Sequence, residues 1–386
     1  MDSTRLSDLM TIARLVRDGR ARTRSDVADQ LSMRPTSVSD LVGELVDKAI
    51  LHEAVIKLKG RGRPAVALHF NARRFCAVLI SVIDRKLVAR AVDMDYGVLL
   101  EKSVEPLRDA GNAEMAACFQ DLIAGIAEAL PAGVELGVVV LSLSGVLDVP
   151  RRMWCFSSRW PNLQNLQISD ALGHLPWDIV LIRNLDAELA GIRLKERLDE
   201  SENTLLLHWG YGIGAAFCSG GSVINRDRGR FCEIGHWGLG DAKGRPCTCG
   251  NTDCLETVAA LWALRPALKA DYPDLPLDEL GLAAEIRHLD LQDHSLIRAG
   301  LTQVLRLTAN LCRILFPDRI ILTGPFVQNP EIFREFVDAI GGSPLIKSVD
   351  RIRVSVGEID RGREALGALN APFDDLLRNF LAGNRD

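Results

Sequence analysis

The first seventy residues carry apolar positions at helical spacing in three separate stretches. Apolar side chains recur every three or four residues from 6 to 16, and Gly19 ends that stretch. A second, short helix is expected to be capped by Ser25, and a third opens at Pro35 or Thr36 after a tight turn. Two short helices joined by such a turn predict a helix-turn-helix.

Two alternating segments after the helices predict a hairpin. Residues 50–57 and 65–70 alternate in polarity as strands do, and the tip between them is KLKGRGRP. Glycines beside Arg61 and Arg63 let such a tip lie flat on DNA, where arginine favours a narrow minor groove. The alternative is a solvated basic loop that joins two domains. Beside a helix-turn-helix, the hairpin is interpreted as a wing.

The third helix carries small polar residues at its N-terminal end, the end that reaches base edges in a major groove. Residues 1–75 hold 14 Lys or Arg against 9 Asp or Glu, and the remaining 311 residues hold 32 against 42. A basic head on an acidic body favours a polyanionic partner, although chance accounts for this difference about equally well. We expect the head to bind double-stranded DNA. The expected contacts are Arg34, Thr36, Ser37, Ser39, Arg61 and Arg63.

From residue 73 onward, buried apolar runs alternate with helical stretches. The runs lie at 76–82, 133–148, 178–184, 204–225 and 318–326. Helical spacing is found at 113–130, from Asp186, at 255–269 and at 295–316. Strands that alternate with helices, with hairpins at two places, predict mixed sheets covered by helices in a two-lobed α/β domain.

Length and composition are those of an ordinary globular protein. The chain has 386 residues, of which 47% are hydrophobic and 25% charged, and this length suits two or three domains. No apolar run reaches the roughly 18 residues of a membrane span, and the N-terminus lacks a secretory signal. We therefore expect a cytoplasmic protein with reduced thiols and no membrane partner.

Four residues in one cysteine-rich stretch have the spacing of a metal site. His236 precedes Cys247, Cys249 and Cys254, and zinc takes one His with three Cys in closed tetrahedral sites. Such a zinc ion is structural, because no ligand position is left for water. Cys232 is a spare thiol that strand alternation points elsewhere. A few buried, reduced thiols are the alternative interpretation.

Several motifs resemble those of the ROK family (repressors, open reading frames and kinases). EIGH at 233–236, the following CTCGNTDCLE, and GRGRP in the predicted wing carry the resemblance, which extends over essentially the whole chain. It implies an N-terminal winged helix-turn-helix and an actin-like (ribonuclease H-like) two-lobed sugar-kinase fold. The implied boundaries are 1–72 for the DNA-binding head, 73–386 for the body, about 73–185 plus 365–386 for lobe one, and about 186–364 for lobe two.

The resemblance also implies a sugar pocket in the body. The implied sugar contacts are Gly145, Asp186, Glu233, His236 and Glu256. Among them, Asp186 would take the position of the kinase base, and the two ring nitrogens of His236 would serve zinc and sugar separately. Leu185 stands where the family has an asparagine before that base, which changes the expected sugar or argues against a simple hexose.

The phosphate-binding loop of the family kinases is altered in this chain. In register with Lys86, SVIDRK replaces D-x-G-x-T-K, so that the leading acid becomes Ser81 and a glycine becomes Ile83. A bulky isoleucine and the acidic Asp84 would crowd and repel a triphosphate, so we predict that the chain is not an enzyme. The glycine turn at 210–214 persists, either as a plain hairpin turn or as a residual anion nest.

Three functions remain open on sequence alone. The first is a sugar-controlled transcriptional regulator of carbohydrate metabolism, expected to be a repressor, and the loop at 81–86 favours it. The second is an ATP-dependent sugar kinase with an appended DNA-binding domain. The third is a regulator controlled by a protein partner. We expect a homodimer or homotetramer whose heads match half-sites about one helical turn apart.

Overall fold

The head of the molecule is a three-helix unit followed by a hairpin. The computed structural model describes residues 3–56, 65–240, 245–291, 293–342, 352–358 and 360–383. The head consists of α1 (Ser3–Arg17), α2 (Arg24–Leu31), α3 (Pro35–Asp47), β1 (Leu51–Ile56) and β2 (Ala65–Phe70). The two strands pair antiparallel, with Leu51 opposite Phe70. The predicted wing tip with Arg61 and Arg63 lies outside the described residues.

The cap of α2 is Thr23 and not Ser25. The Thr23 hydroxyl accepts a hydrogen bond from the N–H of Asp26, whose carboxylate accepts the N–H of Thr23 at 2.8 Å. This reciprocal capping box satisfies two N–H groups, and only Thr23 has an acid at the required three-residue spacing. At the other end, Ser32 adopts a left-handed conformation with φ 52°, which makes the tight turn before α3.

Two five-stranded sheets form the body. The first contains β3 (Phe75–Ile83), β4 (Lys86–Asp93), β5 (Val98–Val104), β6 (Glu135–Leu143) and β10 (Asp178–Arg183), in the order β10-β6-β3-β4-β5. The second contains β11 (Thr204–Trp209), β12 (Ile213–Ser219), β13 (Ser222–Val223), β14 (Arg319–Thr323) and β15 (Arg353–Val356), in the order β13-β12-β11-β14-β15. A small antiparallel sheet joins β7 (Val146–Asp148), β8 (Met153–Phe156) and β9 (Gln164–Gln167). Both large sheets mix parallel and antiparallel pairs, as predicted.

Helices cover the two sheets. They are α4 (Asn112–Ala129), α5 (Ile168–Leu172), α6 (Asn184–Glu196), α7 (Glu256–Ala259), α8 (Leu261–Asp271), α9 (Glu279–Glu285), α10 (Ser295–Leu315), α11 (Pro330–Gly342) and α12 (Arg361–Ala382). The single helix predicted at 255–269 was wrong, because the extended backbone of Ala260 separates α7 from α8. Helix α6 begins two residues before Asp186. Within the described residues, no helix is long and apolar enough to cross a membrane.

The last helix, α12, contacts both the head and the body. It packs along α6 and against β3 and β6 of the first sheet. It also reaches the head, where Asp374 pairs with Arg14 of α1 at 2.9 Å. Phe373 of α12 and Leu9 of α1 belong to one cluster of buried apolar side chains. The head and the first sheet therefore share a hydrophobic core.

Candidate functional site

A cavity of about 160 Å³ lies where strand ends of the two sheets face each other, and a cavity of this size holds one small ring. Charged side chains dominate its polar lining, with seven carboxylates against two arginines and two histidines among the described residues. They are Asp84, Glu188, Glu233, Glu256, Glu279, Asp360, Glu364, Arg159, Arg183, His208 and His236. The cavity therefore offers many hydrogen-bond acceptors in an acidic setting.

Asp186, predicted to take the place of the kinase base, does not line the cavity. It is fully buried, and Arg183 donates to its carboxylate through Nη2 at 2.8 Å and Nε at 3.3 Å. Arg183 also donates to the carbonyl of Ala215 in β12. Helix α6 turns Asp186 inward, and both of its oxygens face Arg183. Its contact with a sugar stays a prediction.

The residues of α6 that face the cavity near its start are Asn184 and Leu185. The family resemblance implied an asparagine followed by the base, and the structure places Asn184 and Leu185 in that order at the cleft. A Cβ on Gly214 would approach Leu185 Cδ1 to 2.7 Å, so the leucine fills this part of the wall. A methyl group here accepts no proton.

The other four implied sugar contacts line the cavity, namely Gly145, Glu233, His236 and Glu256. Glu233 lies 3.5 Å from Arg183, and burial raises the pKa of its carboxyl although Arg183 opposes the change. Both oxygens of Glu256 already accept hydrogen bonds, from the N–H of Ile213 at 3.0 Å and from the Trp262 indole at 3.2 Å. Their contact with a sugar stays a prediction.

His236 and three cysteines come together beside the cavity. The ligand atoms of His236, Cys247, Cys249 and Cys254 all lie within 4.8 Å of one another. His236 Nδ1 is 3.4 Å from Cys247 Sγ, and Cys249 Sγ is 3.4 Å from Cys254 Sγ. Zinc–sulfur bonds of about 2.3 Å in a tetrahedron require thiolates at close to this spacing, so the four residues fit the ion. Cys232 is not in the group.

Contacts between the two lobes close the opposite end of the cavity. Asp84, in the turn between β3 and β4, accepts the N–H of Glu279 through Oδ1 at 3.1 Å. Arg159 donates to the Asp84 carbonyl at 2.5 Å and to the Ser144 hydroxyl at 3.1 Å. Its guanidinium also stacks 4.7 Å above the ring of Tyr211. Through Asp84, the altered loop at 81–86 thus forms a direct hydrogen bond with the second lobe.

Glu279 and His208 form a charged pair at this end. Glu279 Oε1 accepts the N–H of Tyr211 and lies 3.3 Å from His208 Nε2. Burial would raise the pKa of Glu279, but the charges of His208 and Arg159 and the hydrogen bonds lower it to about 2. Burial acts to lower the pKa of His208, and the Glu279 charge overcomes this and raises it.

Among the cavity carboxylates that sequence reasoning missed are Glu188 and Glu364. Glu188 lies one helical turn after Asn184 on α6, and burial raises its pKa to about 7. The four-residue spacing from Asn184 is the signal that could have revealed it. Glu364 of α12 accepts hydrogen bonds from Ser81 at 3.0 Å and Ser142 at 2.6 Å. Glu364 thus places a carboxylate beside Ser81, the position where the family motif has an acid. Because Glu364 comes from a distant part of the chain, no local pattern predicts this placement.

In the head, the polar end of α3 is exposed as predicted. Its exposed residues include Arg34, Thr36, Ser37 and Ser39. Val38 and Leu41 face inward and are buried. Arg24 of α2 donates to the carbonyl of Ser39 and pairs with Glu53 of β1, both at 2.9 Å. These two bonds fix α3 relative to the hairpin.

Comparison with known proteins connects these features to a family. The ROK family model matches residues 89–368. The chain belongs to the ROK family. One relative, the DNA-binding transcriptional dual regulator NagC of Escherichia coli K12, is 21% identical over 384 residues, which cover 93% of this chain and 90% of NagC.

Two crystal structures of ROK proteins share the fold. A ROK family transcriptional regulator, a homologue of the Escherichia coli MLC protein, superposes with a TM-score of 0.71 at 19% identity and covers 100% of both chains. A ROK family glucokinase from Streptomyces griseus, in complex with glucose and AMPPNP, reaches a TM-score of 0.56 at 18% identity. It covers 77% of this chain and 98% of the glucokinase. The α/β sugar-kinase-like fold implied by the sequence motifs is confirmed.

Proposed function

We propose that this ROK protein is a DNA-binding transcriptional regulator, acting as a repressor, whose body binds a sugar without phosphorylating it. The observation that carries the proposal is the polar cavity between the two sheets, which Leu185 lines while the neighbouring Asp186 is buried against Arg183. In this proposal residues 1–72 are the DNA-binding head and residues 73–386 the effector-binding body. The relative NagC, which matches this chain over 90% of its own length and is named a DNA-binding transcriptional regulator, supports the proposal.

The head has the form of a winged helix. Helix α3 presents its exposed N-terminal end, and the hairpin β1–β2 stands beside it. The bonds from Arg24 to Ser39 and Glu53 hold helix and hairpin at a fixed angle. In this arrangement α3 enters the major groove and the hairpin tip reaches the neighbouring backbone or minor groove.

Three features of the cleft argue against phosphoryl transfer. Asp186 is paired with Arg183, its neighbour Leu185 lines the cavity in its place, and the loop that would bind phosphates holds Asp84. Phosphoryl transfer needs a base for the hydroxyl and backbone groups that cradle the donor. The same cavity retains acceptors suited to neighbouring hydroxyls, which favours binding of a sugar without reaction.

The four-residue group at 236–254 would hold a structural zinc ion. His236 presents Nδ1 to the thiols and also lines the cavity. A bound zinc ion would therefore fix the ring that faces the sugar. In this proposal zinc supports the shape of the effector site and takes no part in chemistry.

Helix α12 provides a route from the cavity to the head. Glu364 near its start lines the cavity, and Asp374 farther along pairs with Arg14 of the head. The helix spans 22 residues, about 33 Å at 1.5 Å per residue. A sugar that shifts the lobes would move α12 and with it the head. In a homodimer or homotetramer this motion would change the spacing of two heads on their half-sites.

The proposal is tested by selecting binding sites from a random pool of double-stranded DNA with the full-length protein. We expect enrichment of a defined sequence, and we expect Thr36→Ala or Ser37→Ala to change the enriched bases. Asp29→Ala, at an exposed residue of α2, serves as the control. Failure to enrich any sequence would refute DNA regulation. Sugar-dependent ATP turnover would favour the kinase alternative.

A further inference from the structure

The glycine turn that follows β11 is filled by a carboxylate of the protein itself. Backbone N–H groups in such turns form nests that bind anions, above all phosphates. Here the N–H of Tyr211 donates to Glu279 Oε1, and the N–H of Gly210 donates to the carbonyl of Gly212 at 3.0 Å. Two of the N–H groups in the turn therefore already have acceptors, and one of these is negatively charged.

Contacts from three other elements hold Glu279 in this turn. Its N–H is bound by Asp84 from the first lobe at 3.1 Å. Its Oε1 lies 3.3 Å from His208 Nε2 in β11, and His208 Nδ1 lies 3.2 Å from the hydroxyl of Thr323 in β14. The ring of His208 is thus oriented from one side while it binds Glu279 from the other. The carboxylate has a fixed position and is not a surface side chain that a ligand would simply displace.

The carboxylate of Glu279 also fills the space beside the glycine turn. A Cβ on Gly210 would lie 2.4 Å from Glu279 Oε1, so the carboxylate packs directly on the backbone. Neither cavity-lining arginine is free to receive a phosphate at this end. Arg159 is engaged with Asp84, Ser144 and the Tyr211 ring, and Arg183 lies in its buried pair with Asp186.

We infer that the cleft selects sugars that carry no phosphate or carboxylate, and that Glu279 is the residue that sets this selectivity. The inference rests on the proposed function, because it names the class of ligand for that same cavity. The glycine turn is occupied by an internal anion, and six further carboxylates line the cavity. A phosphorylated sugar would meet like charges where a kinase-like fold would otherwise offer donors. Neutral sugars and amino sugars would instead donate hydrogen bonds to these carboxylates.

The first test is calorimetry of the full-length protein with paired ligands. The panel contains glucose, galactose, mannose, glucosamine and N-acetylglucosamine, each with its 6-phosphate. We expect at least one free sugar to bind and its 6-phosphate to bind at least about tenfold more weakly. A 6-phosphate that binds as tightly as its free sugar, or more tightly, overturns the inference. Absence of binding by every member of the panel would instead count against a sugar effector, and so against the proposed function itself.

The second test does not depend on the sugar and uses inorganic phosphate as the probe. We expect phosphate to leave the melting temperature of the wild-type protein unchanged relative to chloride at equal ionic strength. Glu279→Ala frees the N–H of Tyr211, so phosphate should raise the melting temperature of this variant. Glu128→Ala, at an exposed position of α4, is the matched control. A folded Glu279→Ala protein that phosphate does not stabilise, or a wild-type protein that it does, contradicts the inference.

A conservative variant guards against loss of fold. Glu279→Gln keeps the size of the side chain and removes its charge. We expect this variant to fold and to reduce the discrimination between a free sugar and its 6-phosphate several-fold. Unchanged discrimination in Glu279→Gln would show that Glu279 does not set the selectivity.

Discussion

At the start of α6, neighbouring residues have opposite surroundings. Leu185 lines the cavity, whereas Asp186 is fully buried and paired with Arg183. A charged residue in a nearly dry site is tolerated only with a partner in good geometry. Arg183 therefore holds the acid that was predicted to take the base position, and its apolar neighbour faces the cavity.

Asp186→Ala should be strongly destabilising. It leaves the guanidinium of Arg183 buried with the Ala215 carbonyl and the Glu233 carboxylate, 3.5 Å away, as its remaining partners. Loss of one partner of a buried pair costs about 3–5 kcal/mol. Urea unfolding measures this loss directly. The exposed Asp109→Ala is the control and should change the free energy of unfolding by less than about 0.5 kcal/mol. A cost below about 1 kcal/mol for Asp186→Ala would show that the pair is not structural.

Glu188 should make the stability of the ligand-free protein depend on pH. Its folded-state pKa is about 7 against a usual 4.5. Between these values the folded chain keeps a proton that the unfolded chain has lost, so this residue lowers stability as pH rises from 4.5 to about 7. Glu188→Gln should match the wild-type melting temperature at pH 4.5 and exceed it at about pH 8. Glu128→Gln, at an exposed position, should have the wild-type melting temperature at both pH values. If the melting temperature depends on pH equally in Glu188→Gln and in the wild type, the raised pKa of Glu188 is refuted.

Among the elements, α12 contacts both the body and the head. It carries Glu364 at the cavity and Asp374 at the head. Near its end, Phe380 packs edge-on against Phe75 of β3, and Lys48 lies 5.5 Å above its ring. A continuous helix that touches both sites is the kind of element through which binding at one site can bias the other.

Arg14→Ala should uncouple the head from the cavity. The pair with Asp374 is partly exposed, so its loss should lower the free energy of unfolding by no more than about 1 kcal/mol. Sugar affinity should not change, but the ratio of DNA affinities without and with sugar should fall towards one. Arg5→Ala removes a pair of similar exposure within the head, Arg5–Glu44, and is the control. If both variants keep the wild-type ratio, α12 does not transmit the signal through this contact.

The group formed by His236, Cys247, Cys249 and Cys254 should bind about one zinc ion per chain. Cys254→Ser removes one of the four ligands, so elemental analysis of chelator-free protein should show a loss of zinc. Sugar affinity should fall more than DNA affinity, because the group adjoins the cavity. Cys312→Ser changes an equally buried cysteine of α10 outside the group and should retain the metal. Metal-free wild-type protein would refute the site.

The features that can be predicted from the sequence are those whose pattern lies within one short stretch of the chain. The helices of the head follow from apolar spacing, and the thiol group follows from the spacing of His236 and its cysteines. The inward turn of Asp186 depends on Arg183, and Glu364 and Glu279 reach the cavity from distant segments. Such placements arise from tertiary packing, which no local periodicity encodes.

For the whole molecule, DNA binding should depend on the wing. Replacing Arg61 and Arg63 together with Ala should weaken binding across many sequences. It should reduce the slope of log affinity against log salt by about 0.9 for each phosphate contact that is lost. A double variant in the body, Arg306→Ala with Arg313→Ala on the exposed side of α10, should leave the slope unchanged. An unchanged slope in the wing variant would contradict the wing assignment.

The lobes, α12 and the head form one linked system if the body senses a sugar. Binding at either site then changes affinity at the other by the same factor. The most direct measurement is the affinity of the full-length protein for its selected DNA site, with and without a saturating sugar that the body binds. We predict that the sugar weakens DNA binding, that DNA weakens sugar binding by an equal factor, and that no ATP is consumed. DNA affinity that is unchanged at saturating sugar, or ATP turnover at about 1–100 per second, would contradict this prediction.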